Sequence, residues 1–287
     1  MTNDDRDVVM IYGNCQAQFL GTLVNAIPSL AGRFVFYVVS DTLEPDEQAQ
    51  RIPPEAKRAV LVWEQYDQRP ELAQRDALLE CVPADCAVVR YPPIAMNAFW
   101  PLRVKDPRNR PEPGYPWGRF PQGDRVAVEM ASLGLRGARA FERYMKLSSA
   151  AMPDIERMLA VDRMSYARRD AACDVTMGDF VFANLTHAYQ FWTHGHLSAF
   201  VMSELVGRLF ESSGSVLGDP SESTRGELEA ALARFPGQGP LQLPLHPLVI
   251  ETFDLTFVDT STRYRWFDNA WTFEEYMTRY LSFDCDW

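Results

Sequence analysis

Long apolar runs are missing from this sequence. None of its 287 residues belongs to a stretch approaching the roughly 18–20 apolar positions that span a bilayer. The opening residues, MTNDDRDVVMIYG, are acidic and pass directly into a short apolar stretch. They lack the basic start, longer apolar region and small-residue cleavage site of a secretory signal, and the sequence therefore predicts a cytoplasmic protein. Cysteine is scarce and odd in number: Cys15, Cys81, Cys86, Cys173 and Cys285, with no CxxC spacing. That pattern argues against a disulfide framework. The four histidines, His187, His194, His196 and His246, have no neighbouring cysteine pair, and the His194-Gly195-His196 spacing lacks a third ligand in view, so no metal site is expected. Positive charge is also short. Lys and Arg total 28 against 39 acidic residues, a net charge of −11, which makes nucleic acid and anionic membrane poor partners. What remains is an ordinary globular balance, 47% apolar and 23% charged, in a chain long enough to bury a core without disulfide support.

The charge is unevenly spread. From Pro101 to Ala150 ten basic residues stand against five acidic ones, whereas from Glu211 onward five basic stand against thirteen acidic. A basic segment in an acidic enzyme suits a confined anionic ligand such as a phosphorylated small molecule. On charge alone a solvated mosaic surface accounts for it better.

The first hundred residues alternate in type. Val8–Tyr12, Phe34–Val39, Ala59–Trp63 and Cys86–Arg90 read as near-continuous apolar strands. Helical spacing at Phe19, Leu20, Leu23 and Val24, a polar stretch holding Glu44, Asp46, Glu47 and Gln48, and a periodic segment from Glu71 to Cys81 separate them. Strands of that kind joined by helices predict a parallel sheet covered on both faces, a Rossmann-like α/β unit. Between Tyr91 and Pro121 come eight prolines and the basic residues Arg103, Lys105, Arg108, Arg110 and Arg119, which read as a long ordered loop. Beyond it the pattern is mainly helical: Arg125–Leu135, Ala138–Lys146, Pro153–Arg169, Asp174–Leu185, Leu197–Phe210, Ser223–Arg234 and Thr272–Leu281, with loops at Gly214–Thr224 and Gly237–Pro247. The expected organisation is a Rossmann-like unit with its Pro-rich basic loop over residues 1–122 and a mainly helical region over 123–287, packed on it or merged with it in one domain.

Three stretches could carry chemistry. In Ile11-Tyr12-Gly13-Asn14-Cys15-Gln16 the first strand turns into a helix, the place where doubly wound sheets bind ligands. A thiol there feels unpaired N–H groups and the positive end of the helix dipole, which favour the thiolate. The same N–H groups could hold an oxyanion or phosphate, with Asn14 and Gln16 adding polar groups. The plainer reading is a small cysteine packed behind the strand. GNCQ is not a phosphate loop, since it lacks the glycine repeat and the Lys-Ser/Thr. In the second stretch, Phe191–Ser198, a histidine could take a proton from a thiol or hydroxyl, or could simply satisfy buried backbone groups. In the third, Tyr91–Pro101, aromatics could wall a pocket while Asn97 donates to a substrate, or could pack under the loop.

Together the GNCQ turn, the YPP…N.FWP segment and the late F-x-T-x-x-H-x-S segment resemble the WcbI family of bacterial capsule polysaccharide biosynthesis proteins, over about Val8 to Leu255. The family tends to have Asn-His-Pro where this chain has Gly195-His196-Leu197, which favours His196 over His194 as the matching histidine. The resemblance implies coenzyme A or acetyl-coenzyme A as acyl donor and a sugar or glycan hydroxyl as acceptor. In that scheme Cys15 and His196 are the catalytic candidates. Gly13, Asn14, Gln16 and Asn97 are the expected contacts to the ligand, with Arg103, Lys105, Arg108, Arg110 and Arg119 for its phosphates. Two routes stay open: an acyl-Cys15 intermediate with His196 as base, or direct attack by a sugar hydroxyl deprotonated by His196. A thiol-dependent acyl-sugar hydrolase and a non-catalytic coenzyme A- or glycan-binding subunit are the alternatives.

Overall fold

The computed structural model describes residues 5–41, 52–66, 73–137 and 139–283. The predicted polar stretch from Glu44 to Gln48, the first two residues of the predicted Glu71–Cys81 helix, Ala138 and Cys285 lie outside them. The chain begins β1 (Asp7–Gly13), α1 (Cys15–Asn25), α2 (Pro28–Ala31), β2 (Phe34–Ser40), a 3₁₀ turn (Pro54–Arg58), β3 (Ala59–Gln65), α3 (Ala73–Cys81) and β4 (Ala87–Tyr91). The four strands form a parallel sheet in the order β2-β1-β3-β4. A short antiparallel pair, β5 (Arg103–Val104) and β6 (Gly123–Asp124), closes the base of the proline-rich segment. The remainder is mostly helical: α4 (Arg125–Ser132), α5 (Ala140–Ala150), α6 (Ile155–Asp170), α7 (Gly178–Ala183), α8 (Ala199–Ser212), α9 (Gly214–Leu217), α10 (Glu222–Arg234), α11 (Pro247–Phe253), the hairpin β7 (Tyr264–Trp266) and β8 (Asn269–Trp271), and α12 (Phe273–Leu281). The α/β class, a parallel N-terminal sheet followed by a mainly helical half, is the one read from the sequence.

Local boundaries differ where side chains intervene. The helix expected over Asp174–Leu185 is confined to α7, because the Asp170 carboxylate accepts the N–H groups of Met177 and Gly178 and holds the preceding residues in a turn. The expected loop at Gly214–Thr224 contains α9. At the end of the Gly237–Pro247 loop, Pro247 opens α11, with the His246 ring capping Leu248 N–H, a proline at the first helical turn where no N–H is missed.

The described residues form two compact units. The first takes Met1–Ala95, Arg163–Leu185 and Gln190–Gly239; the second takes Met96–Asp162, Thr186–Tyr189 and Pro240–Trp287. In the first, β1 is buried from Val8 onward, and Leu20, Leu23 and Val24 of α1 are inaccessible to solvent. Each such side chain contributes roughly 1.5–3 kcal/mol by leaving water. A side chain at Gly21 would meet Val38 Cγ2 at 2.2 Å, and so glycine lets α1 lie close against β2. Trp63 is fully buried; its indole N–H donates to Ser213 Oγ at 2.8 Å, and its ring packs on Phe36 and Phe210.

The second unit is built round aromatics. Phe120 contacts Trp266, Tyr276, Tyr280 and Phe283. Asp124 caps α4 through Ala127 N–H and accepts the Tyr144 hydroxyl. A cavity in this unit is lined by Trp100, Arg103, Asp124, Tyr144, His246 and Tyr276, among others; its free space of about 40 Å³ suits a few waters. Among the described residues no helix is long and apolar enough to cross a membrane.

Candidate active site

In the order β2-β1-β3-β4 the chain leaves β1 towards one neighbour and returns to the other side, so the switch point lies at the carboxyl ends of β1 and β3. Gly13-Asn14-Cys15-Gln16 occupies the first of these ends and Gln65 the second. Gly13 has φ +155°, and a Cβ there would sit 2.6 Å from Gln65 Cβ; glycine is what permits the two strand ends to approach. Asn14 caps α1, its side-chain oxygen accepting Gln16 N–H at 2.8 Å, while its own N–H donates to Gln65 Oε1 at 2.9 Å.

Gln16 is buried and spends its whole hydrogen-bonding capacity inside the protein. Its Nε2 donates to the Ile94 and Gly195 carbonyls at 2.6 and 2.8 Å, and its Oε1 accepts from Gln65 Nε2 and Ile94 N–H at 2.9 and 3.1 Å. Two donors and two acceptor sites are all that an amide offers. The expectation that Gln16 presents polar groups to a ligand therefore gives way to a structural role: it ties the turn to the ends of β3 and β4 and to the histidine loop.

Cys15 heads α1 and is half-buried. Burial pushes its thiol above the ordinary value, and Asp41 adds to that; the Gln238 side chain and the N–H groups of Cys15 and Gln16 pull the other way. The helix-terminus effect expected from the sequence is present, but desolvation outweighs it. The resting thiol is protonated, and the expected ready-made thiolate is corrected.

The histidine loop is held by short backbone bridges. Phe191 pairs with Leu197 and Ser198 with Gly237; Trp192 N–H donates to the His196 carbonyl and Gln238 N–H to that of Leu197, at 2.8 and 2.9 Å. Gly237 is required here, since a Cβ would lie 2.1 Å from the Trp192 indole. His196 is partly buried, and desolvation lowers its pKa, leaving the imidazole neutral at pH 7. Its Nδ1 is buried without a partner. Gly195, the residue before it, binds Gln16, and a Cβ on Gly239, the residue after Gln238, would lie 3.6 Å from Nδ1. A residue flanking Cys15 is thus bonded to one flanking His196, through Gln16 and Gly195. Ser198 Oγ, at the cap position of α8 but making no capping bond, and Gln238 Oε1 are also buried without partners.

The other expected ligand contacts belong to the second unit. Asn97 is exposed, with its amide nitrogen held by Asp162, whose buried carboxylate also accepts the Asn97 and Ala98 N–H groups. Arg108 is committed to Asp106 through three contacts of 2.7–3.2 Å and to the Phe283 carbonyl. Arg119 makes a bidentate pair with Glu112 at 2.6 and 2.8 Å. These two guanidiniums support the loop itself. Arg103, Lys105 and Arg110 are exposed, and no carboxylate of the described residues is seen to pair with them. Sequence reasoning missed Gln65, Asp41 and Gln238. Gln65 had a visible signal, a polar Glu64-Gln65 pair closing an apolar strand; Gln238 lay in a Gly-Gln-Gly loop that no periodicity marks.

The fold and the turn define an α/β protein with a cysteine at the switch point of its parallel sheet. The model of the polysaccharide biosynthesis enzyme WcbI family matches residues 8–216, and the chain belongs to that family. A solved WcbI structure, described as the native protein without a disulfide bond between coenzyme A and one of its cysteines, is similar at a TM-score of 0.70 and 16% identity, covering 97% of this chain and 89% of that one. No curated protein sequence matches the chain.

Proposed function

We propose that this protein is a cytoplasmic, coenzyme A-dependent acyltransferase that acetylates a sugar hydroxyl during polysaccharide biosynthesis, with Cys15 and His196 at its centre. The observation that carries the reading is the set of buried, unpartnered polar atoms around the Cys15 turn: His196 Nδ1, Gln238 Oε1 and Ser198 Oγ. Buried polar groups are normally satisfied, and a cluster of exceptions beside a thiol fits a ligand that brings its own hydrogen-bonding groups. The description of the WcbI structure, which names a disulfide between coenzyme A and a cysteine as absent from that structure, supports the same class of ligand.

Acetyl-coenzyme A would supply an activated acyl group. The protein's part is then to hold and move protons. His196, neutral because it is buried, can accept a proton from the acceptor hydroxyl or from Cys15. Because the resting thiol is protonated, Cys15 acts as a nucleophile only when its proton is removed during the reaction, and direct attack by the sugar hydroxyl asks less of it. Of the basic residues expected at the phosphates, Arg103, Lys105 and Arg110 are exposed and are paired with no carboxylate among the described residues.

Incubation with acetyl-coenzyme A and candidate sugar acceptors tests the reading. Transfer to sugar is expected, with loss in His196→Ala. Release of acetate from acylated sugar without coenzyme A would instead identify a hydrolase, and coenzyme A binding without turnover on any acceptor would identify a binding subunit.

A further inference from the structure

The cavity of the second unit has a polar wall in which some groups are engaged and others are not. Trp100 Nε1 donates to the Leu243 and Pro244 carbonyls, both at 3.2 Å, and His246 uses one ring nitrogen on Leu248 N–H and the other on Ser148 Oγ. Four lining side chains keep capacity. Tyr276 is 3% exposed, yet its hydroxyl is buried without a partner. Among the described residues Gln122, half-buried, makes no side-chain hydrogen bond, and Arg103 forms no ion pair. Asp124 accepts Ala127 N–H and the Tyr144 hydroxyl, each at 2.9 Å, which takes about half of the lone-pair sites of a carboxylate. Arg103 and Asp124 stand directly opposite each other on the β5–β6 ladder, and opposed residues share a face.

We propose that this cavity is a carbohydrate site that takes a vicinal diol of a sugar. A guanidinium offers only donors and a carboxylate only acceptors. A hydroxyl answers both, since it accepts from Arg103 and donates to Asp124 in one place. Opposite charges on the wall balance, and a cation would meet Arg103 as an anion would meet Asp124, so the fitting ligand is uncharged. Gln122 and the Tyr276 hydroxyl, each both donor and acceptor, serve the second hydroxyl. The size agrees. Free space of about 40 Å³ holds about three waters at roughly 10–15 Å³ each, and a diol unit of two carbons and two oxygens is drawn together by its bonds. The Trp100 and Tyr276 rings supply the apolar wall that the C–H bonds require. Arg103 is exposed, so the cavity opens beside it and the remainder of the sugar lies outward there. The inference takes Arg103 from the phosphates of the proposed acyltransferase, leaves Lys105 and Arg110 to them, and depends on neither Cys15 nor coenzyme A.

Saturation-transfer NMR on the full-length protein, with the methyl glycosides of glucose, galactose and mannose and no acyl donor, tests the site separately from the acyltransferase reading. At least one glycoside is expected to bind saturably. Tyr276→Phe should weaken that binding about five- to tenfold, while the melting temperature of the free protein holds or rises, because an unpartnered buried hydroxyl has been removed. Arg103→Met should weaken binding about tenfold or more, and as a change at an exposed residue it serves equally if the first variant does not fold. The proposal is overturned by an absence of saturable binding for all three glycosides, or by affinity unchanged in the folded variants. It is overturned equally if sodium acetate at constant ionic strength displaces the glycoside, which would make the cavity an anion site.

Discussion

Replacing Gln16 by methionine keeps the side chain's length and removes its amide. Four hydrogen bonds go with it, two donated to the Ile94 and Gly195 carbonyls and two accepted from Gln65 Nε2 and Ile94 N–H. At a net value of about 1 kcal/mol each the loss is about 4 kcal/mol. Two adjustments act in opposite directions. Ile94 and Gln65 are buried, and groups stranded there cost more than the mean, whereas Gly195 is partly exposed and can recover a water. The expected destabilisation is therefore about 3–5 kcal/mol, read from urea unfolding followed by tryptophan fluorescence. Gln18 is the control. Two residues further along α1, it is exposed and its Nε2 donates only to Ser40 Oγ, so Gln18→Met should cost less than about 1 kcal/mol. A double-mutant cycle between Gln16 and Gln65 should show a coupling of about 1 kcal/mol. If Gln16→Met loses less than about 1 kcal/mol, or costs no more than Gln18→Met, the amide is not the tie described here.

Iodoacetamide at neutral pH should modify Cys15 more slowly than it modifies an unperturbed thiol, because burial raises its pKa, but ahead of Cys86 and Cys173, whose thiols are pushed up to about 11 and about 12; peptide mapping by mass spectrometry gives the order, and rapid labelling of Cys15 would refute the desolvation argument. His246 accepts Leu248 N–H at Nδ1, which assigns its proton to Nε2, facing Ser148 Oγ, and burial lowers its pKa from 6.5 to about 4. The folded state then binds fewer protons than the unfolded one between these values, so stability present above about pH 6.5 should fall, by at most about 3 kcal/mol, as the pH drops towards 4; His246→Asn, which retains a capping side chain, should flatten that slope in pH-dependent unfolding. Arg108→Ala strands the buried Asp106 carboxylate and should cost about 3 kcal/mol of stability. Arg110→Ala should leave stability within about 0.5 kcal/mol while weakening coenzyme A binding more than pantetheine binding, as calorimetry would show; equal weakening of both ligands would remove Arg110 from phosphate recognition.

The sheet was readable because each of its strands is a nearly unbroken apolar run, and the order of strands and helices then left few topologies. The turn at Cys15 was readable because position alone, after the first strand, marks it. What stayed hidden depends on contacts across long sequence separations. Nothing in the local sequence distinguishes Gln16 as a saturated tie from Gln16 as a ligand contact, and nothing separates Arg108, locked on Asp106, from Arg110 two residues later. The sign of the Cys15 perturbation was hidden for the same reason: the helix terminus is local and visible in sequence, while the desolvating residues arrive from elsewhere. Short elements opened by a single cap, such as α11 behind His246, offer too few residues for a period to show.

The partners that Gln16 requires are 49, 78 and 179 residues downstream, and Gln238 is later still. During synthesis from the N-terminus, β1 and α1 leave the ribosome long before the segment that lines the thiol exists, and contacts of this span form late in folding. The nascent chain thus carries Cys15 as an ordinary exposed cysteine for most of its translation, open to oxidants and to stray disulfide exchange. Only when the segments of Ile94 and Gly195 bond to Gln16 is the turn that carries the sulfur complete, so the maturity of the fold and the chemical protection of the thiol are reached in one event.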